Sequence, residues 1–106
     1  MERERTKQII TDTKQLLSDP KHWTKNTSAR DVNGNMVAAK ECIAVCWCLY
    51  GAVRANTDNF GEAISVSNVL FDYLPDDHWS LPNFNDSRET THEDVIRVLD
   101  KALETI

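Results

Sequence analysis

Three cysteines, Cys42, Cys46 and Cys48, fall within seven residues of this 106-residue chain and form its most chemically suggestive cluster. With the three histidines they could supply zinc ligands, but structural zinc favours paired ligands on a turn, as in Cys-x-x-Cys. If the segment is a helix, Cys42 and Cys46 share one face and Cys48 lies about 160° around the axis from Cys46. We therefore predict no metal site and no cofactor, and we interpret Cys42 and Cys46 as buried core thiols.

Cys48 differs from the other two cysteines because its predicted helix face also carries Ala44, Gly51 and Ala55. Small residues at this spacing let another helix or a hairpin pack closely, or they line a ligand site. A nucleophilic cysteine needs a base and a lowered pKa, usually at a helix N-terminus. The pattern places Cys48 in mid-helix, so it is a weak catalytic candidate that would need a histidine brought near by the fold.

A second candidate site lies between Pro75 and Thr90, a stretch without apolar period that is long enough to suggest function. Asn85, Asp86 and Arg88 could hydrogen-bond a polar ligand beside Trp79 and Phe84. The alternative is that these side chains only make turns with the backbone.

Two further segments contribute candidates. Arg30 and Asp31 either bind a ligand or form an ion pair, and Trp47 is either a core residue or part of an aromatic cage. The complete predicted ligand-binding set is Arg30, Asp31, Trp47, Cys48, Gly51, Trp79, Phe84, Asn85, Asp86 and Arg88.

The elements that must position these residues follow from apolar periodicity and from turn and capping signals. Asn33-Gly34 favours a type I′ hairpin turn, Asn59 with Glu62 resembles a capping box, and Thr91 to Asp94 is a clear one. The predicted elements are an amphipathic helix over 3–18, a hairpin over 29–38, an apolar helix over 41–56, a helix over 60–74 and a last helix to Ile106. The fold class is mainly α, with about four helices around a buried central helix and one small β-hairpin.

Composition sets the broad class. A chain of 106 residues with 41% hydrophobic content predicts one domain spanning 1–106. No long apolar run spans a bilayer, and the charged opening lacks a signal-peptide pattern, so we expect a soluble cytoplasmic protein without membrane contact.

The two parts of the chain differ in charge. Residues 1–40 carry eight Lys/Arg and five Asp/Glu, whereas residues 41–106 carry four Lys/Arg and twelve Asp/Glu. This asymmetry suits pairing within one fold or in a homodimer, and it makes duplex nucleic acid a poor partner.

Several short motifs occur in an order that resembles an uncharacterised family of small bacterial and phage proteins, a domain of unknown function. The motifs are Trp23, Ala29-Arg30-Asp31-x-x-Gly34, Trp47-Cys48-x-x-Gly51-Ala52, Phe84-Asn85-Asp86 and Val95-x-x-x-Leu99-x-x-Ala102. They cover roughly residues 9 to 103, and Phe84 stands where the family usually has Trp. The resemblance implies a compact domain of prokaryotic or phage origin and carries no activity, and the motif residues could equally be a fold signature.

Three functional hypotheses follow. The first is a non-catalytic binding module, with a small polar ligand such as a nucleotide signal, or a host protein, as its partner. The second is a structural homodimer or assembly subunit. The third is a small cysteine-dependent hydrolase using Cys48.

Overall fold

Residues 2–75 and 78–106, which the computed structural model describes, form five α-helices and one small antiparallel sheet. The prediction of a mainly helical fold with a small β part is therefore confirmed. The elements in chain order are α1 (Arg3–Leu16), β1 (Ala29–Arg30), β2 (Met36–Val37), β3 (Cys46–Trp47), α2 (Leu49–Ala55), α3 (Phe60–Phe71), α4 (Leu81–Asp86) and α5 (His92–Thr105), with a short 3₁₀ turn at Pro20–His22.

The terminal helices α1 and α5 pack against each other, and both follow their predicted patterns. In α1 the buried face is formed by Ile9, Ile10 and Thr13, and Thr13 satisfies its hydroxyl by donating to the Ile9 carbonyl at 2.8 Å. The α5 capping box is present, since the Thr91 hydroxyl accepts from the Asp94 N–H and the Asp94 carboxylate accepts from the Thr91 N–H. The amphipathic pattern thus positions both outer helices correctly.

The predicted central helix over 41–56 is wrong in its first half. Helix α2 begins only at Leu49, and Cys46–Trp47 is a strand that pairs with Ala29–Arg30. A short apolar run is compatible with either a strand or a helix. Here the segment is a strand because its backbone forms hydrogen bonds with β1. Helix α2 still provides the central buried helix, because its residues Leu49, Ala52 and Val53 are fully buried.

Because the segment before Leu49 is not helical, two of the three cysteines lie outside the core. Cys42 is exposed and Cys46 is half-buried, so their interpretation as core thiols is wrong. Cys48 is the buried one, and it is the N-cap of α2 instead of a mid-helix residue. The angular argument failed because the residues that separate the three cysteines are not helical.

The sheet has the order β2-β1-β3, so the predicted hairpin is joined by a third strand. The hairpin turn is not of type I′, which needs positive φ at both Asn33 and Gly34, because only Gly34 is left-handed, with φ of 83°. The Gly34 N–H donates to the Asp31 carbonyl, and the Asp31 N–H donates to the Asn35 carbonyl. This pattern is that of a three-residue loop whose last residue is the left-handed glycine.

The remaining helices differ from prediction at their ends. Helix α3 is capped by Asn59 as predicted but ends at Phe71, and the Glu62 carboxylate accepts from the Asp58 N–H instead of closing the box on Asn59. The stretch predicted as irregular contains α4, which is capped by Ser80 and is too short to show a helical period. Over residues 2–75 and 78–106, no helix has the length and apolar character needed to cross a bilayer.

Candidate functional site

Asn85 is the most highly connected of the predicted site residues. Its side chain is fully buried, and its Oδ1 accepts from Trp23 Nε1 at 2.6 Å and from the Leu49 N–H at 3.0 Å. Its Nδ2 donates to the Thr24 carbonyl and to Asp86 Oδ1, each at 3.0 Å. The amide therefore joins α4, the start of α2 and the segment after the 3₁₀ turn, and four internal partners fill its hydrogen-bonding capacity.

Asp86 and Phe84, the neighbours of Asn85 in α4, also hold this helix in place. Asp86 Oδ1 also accepts from the N–H of Asn26, a residue held at a φ of 70°. Next to it, Lys25 Nζ donates to the Ser87 carbonyl at 2.7 Å, and the Phe84 ring is buried in the core. These contacts fasten the segment 24–26 to the end of α4.

Arg30 and Asp31 are used by the hairpin and its neighbour. The Arg30 guanidinium donates to Thr24 Oγ1 at 3.0 Å and to the carbonyls of Lys25 and Gly34, each at 3.1 Å. Asp31 Oδ1 accepts from the N–H groups of Asn33 and Asn35, each at 2.9 Å. The two side chains thus organise the loop, and the described residues contain no ion pair between them.

The predicted small-residue helix face does not include Ala44, which precedes β3, but Cys48 and Gly51 do pack against the backbone that leads into β1. The Cys48 N–H donates to the Ser28 carbonyl at 3.1 Å, and Cys48 Sγ accepts from the Gly51 N–H at 3.2 Å. A Cβ on Gly51 would lie 2.0 Å from the Ser28 carbonyl oxygen, so only glycine allows this approach. Trp47 completes the region by donating from Nε1 to the Ala39 carbonyl at 2.9 Å.

The environment of Cys48 disfavours a thiolate. Burial raises the pKa of the Cys48 thiol, and the hydrogen bond from Gly51 lowers it only in part. Two histidines that could have served as its base are engaged elsewhere, since His78 Nδ1 contacts Asn83 Oδ1 at 3.2 Å and His92 Nε2 contacts the Leu17 carbonyl at 2.5 Å. Within the described part of the chain, no three His, Cys, Asp or Glu side chains are grouped to hold a metal ion.

We expect iodoacetamide near neutral pH to alkylate Cys42 first, Cys46 more slowly and Cys48 at a rate roughly 100-fold below that of Cys42. The order follows from exposure, because Cys42 is open to solvent whereas Cys48 is 5% exposed and must wait for local opening. Peptide mass spectrometry over time measures the three rates. Alkylation of Cys48 as fast as that of Cys42 in the folded protein would contradict this order and support the cysteine-dependent hydrolase.

An apolar groove between α3 and the start of α4 is the feature that the sequence analysis missed. It has a volume of about 310 Å³, and its lining residues are Tyr50, Ile64, Ser67, Asn68, Phe71, Trp79, Ser80, Leu81 and Pro82. We call it the α3–α4 groove. Of the predicted ligand-binding residues only Trp79 lines it, with its side chain 76% exposed, while Arg88 is exposed elsewhere.

The signal for this groove lay in the pattern of α3, which carries two apolar faces. Ala63, Val66 and Leu70 point into the core and are fully buried. On another side of the helix, Ile64 and Phe71, which line the groove, stay 55% and 42% exposed. The Ser67 hydroxyl in the groove is enclosed but has no hydrogen-bond partner among the described residues. A second apolar face on a helix that is already packed was the available clue.

Searches of curated proteins and of solved structures gave no match. A family model, described as a family of unknown function, DUF6197, matches residues 1–105. Because this match spans nearly the whole chain, the protein belongs to the DUF6197 family.

Proposed function

We propose that this protein is a non-catalytic binding module whose ligand is a segment of another polypeptide chain, bound in the α3–α4 groove. The observation that carries the proposal is the uncovered apolar surface of the groove, where Ile64, Phe71 and Trp79 remain 55%, 42% and 76% exposed. Contiguous exposed apolar patches on soluble domains mark interaction sites far more often than isolated apolar residues do. Aromatic residues also supply much of the energy of protein–protein binding.

A polypeptide fits the groove better than the small polar ligand that the sequence suggested. The polar groups of Arg30, Asp31 and Asn85 already make several internal hydrogen bonds each, so a ligand would have to break them. Among the described residues, none of those that line the groove is charged, and the groove accepts an aliphatic or aromatic side chain without such a cost. The raised pKa of the Cys48 thiol weighs in the same direction against a hydrolase.

The test uses peptides selected from a random display library against the folded protein, with affinity measured by fluorescence anisotropy. We expect selected peptides to carry an aromatic or large aliphatic anchor, and we expect Ile64→Asp to weaken their binding at least about tenfold. Val32→Asp is the matched control, because Val32 is 82% exposed on the hairpin and lies outside the groove, and it should change affinity less than about twofold.

Two results would argue against a polypeptide-binding groove. One is peptide binding that survives Ile64→Asp but is lost in Arg30→Ala, which would move the site to the hairpin. The other is stabilisation of the protein against heat by a small polar compound, such as a nucleotide, together with failure to select any peptide.

A further inference from the structure

The exposed face of α3 has the residue spacing of a two-helix seam. Phe60, Ile64, Ser67 and Phe71 are separated by four, three and four positions, which places them on one stripe. The core-facing residues of the same helix lie on another side, so the stripe is open to a second helix. Tyr50 of α2 and Trp79 before α4 flank it.

The stripe is complementary to itself when two copies run antiparallel. In that arrangement Phe60 lies opposite the partner's Phe71, and Ile64 lies opposite the partner's Ser67. A large residue therefore meets a small one near the middle of the seam, where the groove provides the space. The same contacts occur twice about the two-fold axis.

The charges at the two ends of the stripe favour the antiparallel orientation. At the Phe60 end, the Arg54 guanidinium lies over the Phe60 ring at 4.3 Å, and Lys40 lines the adjacent pocket. At the other end, the exposed Asp72 directly follows Phe71. Neither Arg54 nor Asp72 has an ion pair within 2–75 and 78–106. Antiparallel packing brings Arg54 to the partner's Asp72, whereas parallel packing joins like charges.

The exposed apolar area of the stripe and Trp79 is large enough for a weak dimer. A buried aromatic side chain covers about 150–250 Å², so the exposed fractions leave roughly 500 Å² of apolar surface per copy. The residues counted are Phe60, Ile64, Phe71 and Trp79. Two copies would cover roughly 1,000 Å², which is the lower end for a specific interface and is typical of weak, transient association.

We infer that a second copy of this chain occupies the α3–α4 groove, as an antiparallel α3 pair that is closed at each end by Arg54 and the partner's Asp72. The inference rests on the proposed function, since it names the polypeptide that the groove binds.

Sedimentation equilibrium of the full chain between about 1 and 500 µM tests the pairing. We expect a reversible monomer–dimer equilibrium, weakened at least about tenfold by Ile64→Asp and unchanged by the control Val32→Asp. Arg54→Asp and Asp72→Arg should each weaken it about three- to tenfold, and the double variant should recover to within about threefold of the wild type. Circular dichroism and thermal melts of each variant verify that it is folded.

A chain that stays monomeric throughout this range would overturn the dimer, as would a dimer that is insensitive to Ile64→Asp. A dimer in which the double charge variant is weaker than both single variants would overturn the antiparallel arrangement. The peptide-binding assay separates this inference from the proposed function. A monomer that binds selected peptides through Ile64 keeps the binding module and removes only the second copy as its partner, whereas a monomer that binds none removes both.

Discussion

Replacing Asn85 with alanine should destabilise the protein by about 3–5 kcal/mol, a large fraction of the stability of a small domain. The variant loses four hydrogen bonds and leaves the Trp23 indole N–H, the Leu49 N–H and the Thr24 carbonyl without their partner. Each buried polar group without a partner costs about 1–3 kcal/mol. Urea unfolding followed by circular dichroism measures the change.

Asn83→Ala is the matched control, because Asn83 lies on the same short helix but is only half-buried. Its Oδ1 accepts from the Trp79 N–H at 3.3 Å and contacts His78 Nδ1 at 3.2 Å, and because these groups are not fully buried the loss of both contacts should cost about 1 kcal/mol or less. A cost below about 1 kcal/mol for Asn85→Ala, combined with lost ligand binding, would show that Asn85 serves a ligand instead of the fold.

Gly51→Ala should destabilise the protein by about 3 kcal/mol, at the upper end of the range for overpacked sites. The new methyl group would meet the Ser28 carbonyl oxygen at 2.0 Å and the Ser28 carbonyl carbon at 2.8 Å. Both atoms belong to the backbone that leads into β1, so rotation of a side chain cannot relieve the clash. Either α2 or the central strand must move, with loss of the Cys48 to Ser28 hydrogen bond.

Gly61→Ala serves as the control for this clash, since the nearest atom to its added Cβ is the flexible Asn59 side chain at 3.2 Å. Its stability should stay within about 1 kcal/mol of the wild type, because alanine also gains helix propensity at this position. Thermal melts of the two variants side by side give the comparison. Equal stability of Gly51→Ala and Gly61→Ala would refute the close approach of α2 to Ser28.

The outer helices could be predicted from the sequence because their periodic patterns and caps agree with their tertiary environment. Ile9 and Ile10 in α1, and Thr91 with Asp94 at α5, each carry a local signal that the fold does not override. The strand at Cys46–Trp47 could not be predicted in the same way. Its apolar run suits either helix or strand, and its structure depends on a partner strand that lies sixteen to eighteen positions earlier in the chain.

The candidate site shows the same division between local and tertiary information. Motif residues such as Arg30, Gly51 and Asn85 stand out in the sequence because few other residues could make their contacts, and those contacts are internal. The groove, in contrast, depends on which apolar residues the fold leaves uncovered. Ile64 and Val66 look alike as members of a helical pattern, and only packing makes the first exposed and the second buried.

We propose that the motif residues hold the fold together while the α3 face binds a polypeptide, which we infer to be a second copy. Hydrogen–deuterium exchange of the wild-type chain at low and high micromolar concentration tests it directly, resolved by peptide. We expect added protection at high concentration over α3, Phe60–Phe71, and over Trp79 to Pro82, with none in the hairpin around Arg30 and Asp31. Concentration-dependent protection confined to the hairpin, or none on α3, would contradict this division of roles.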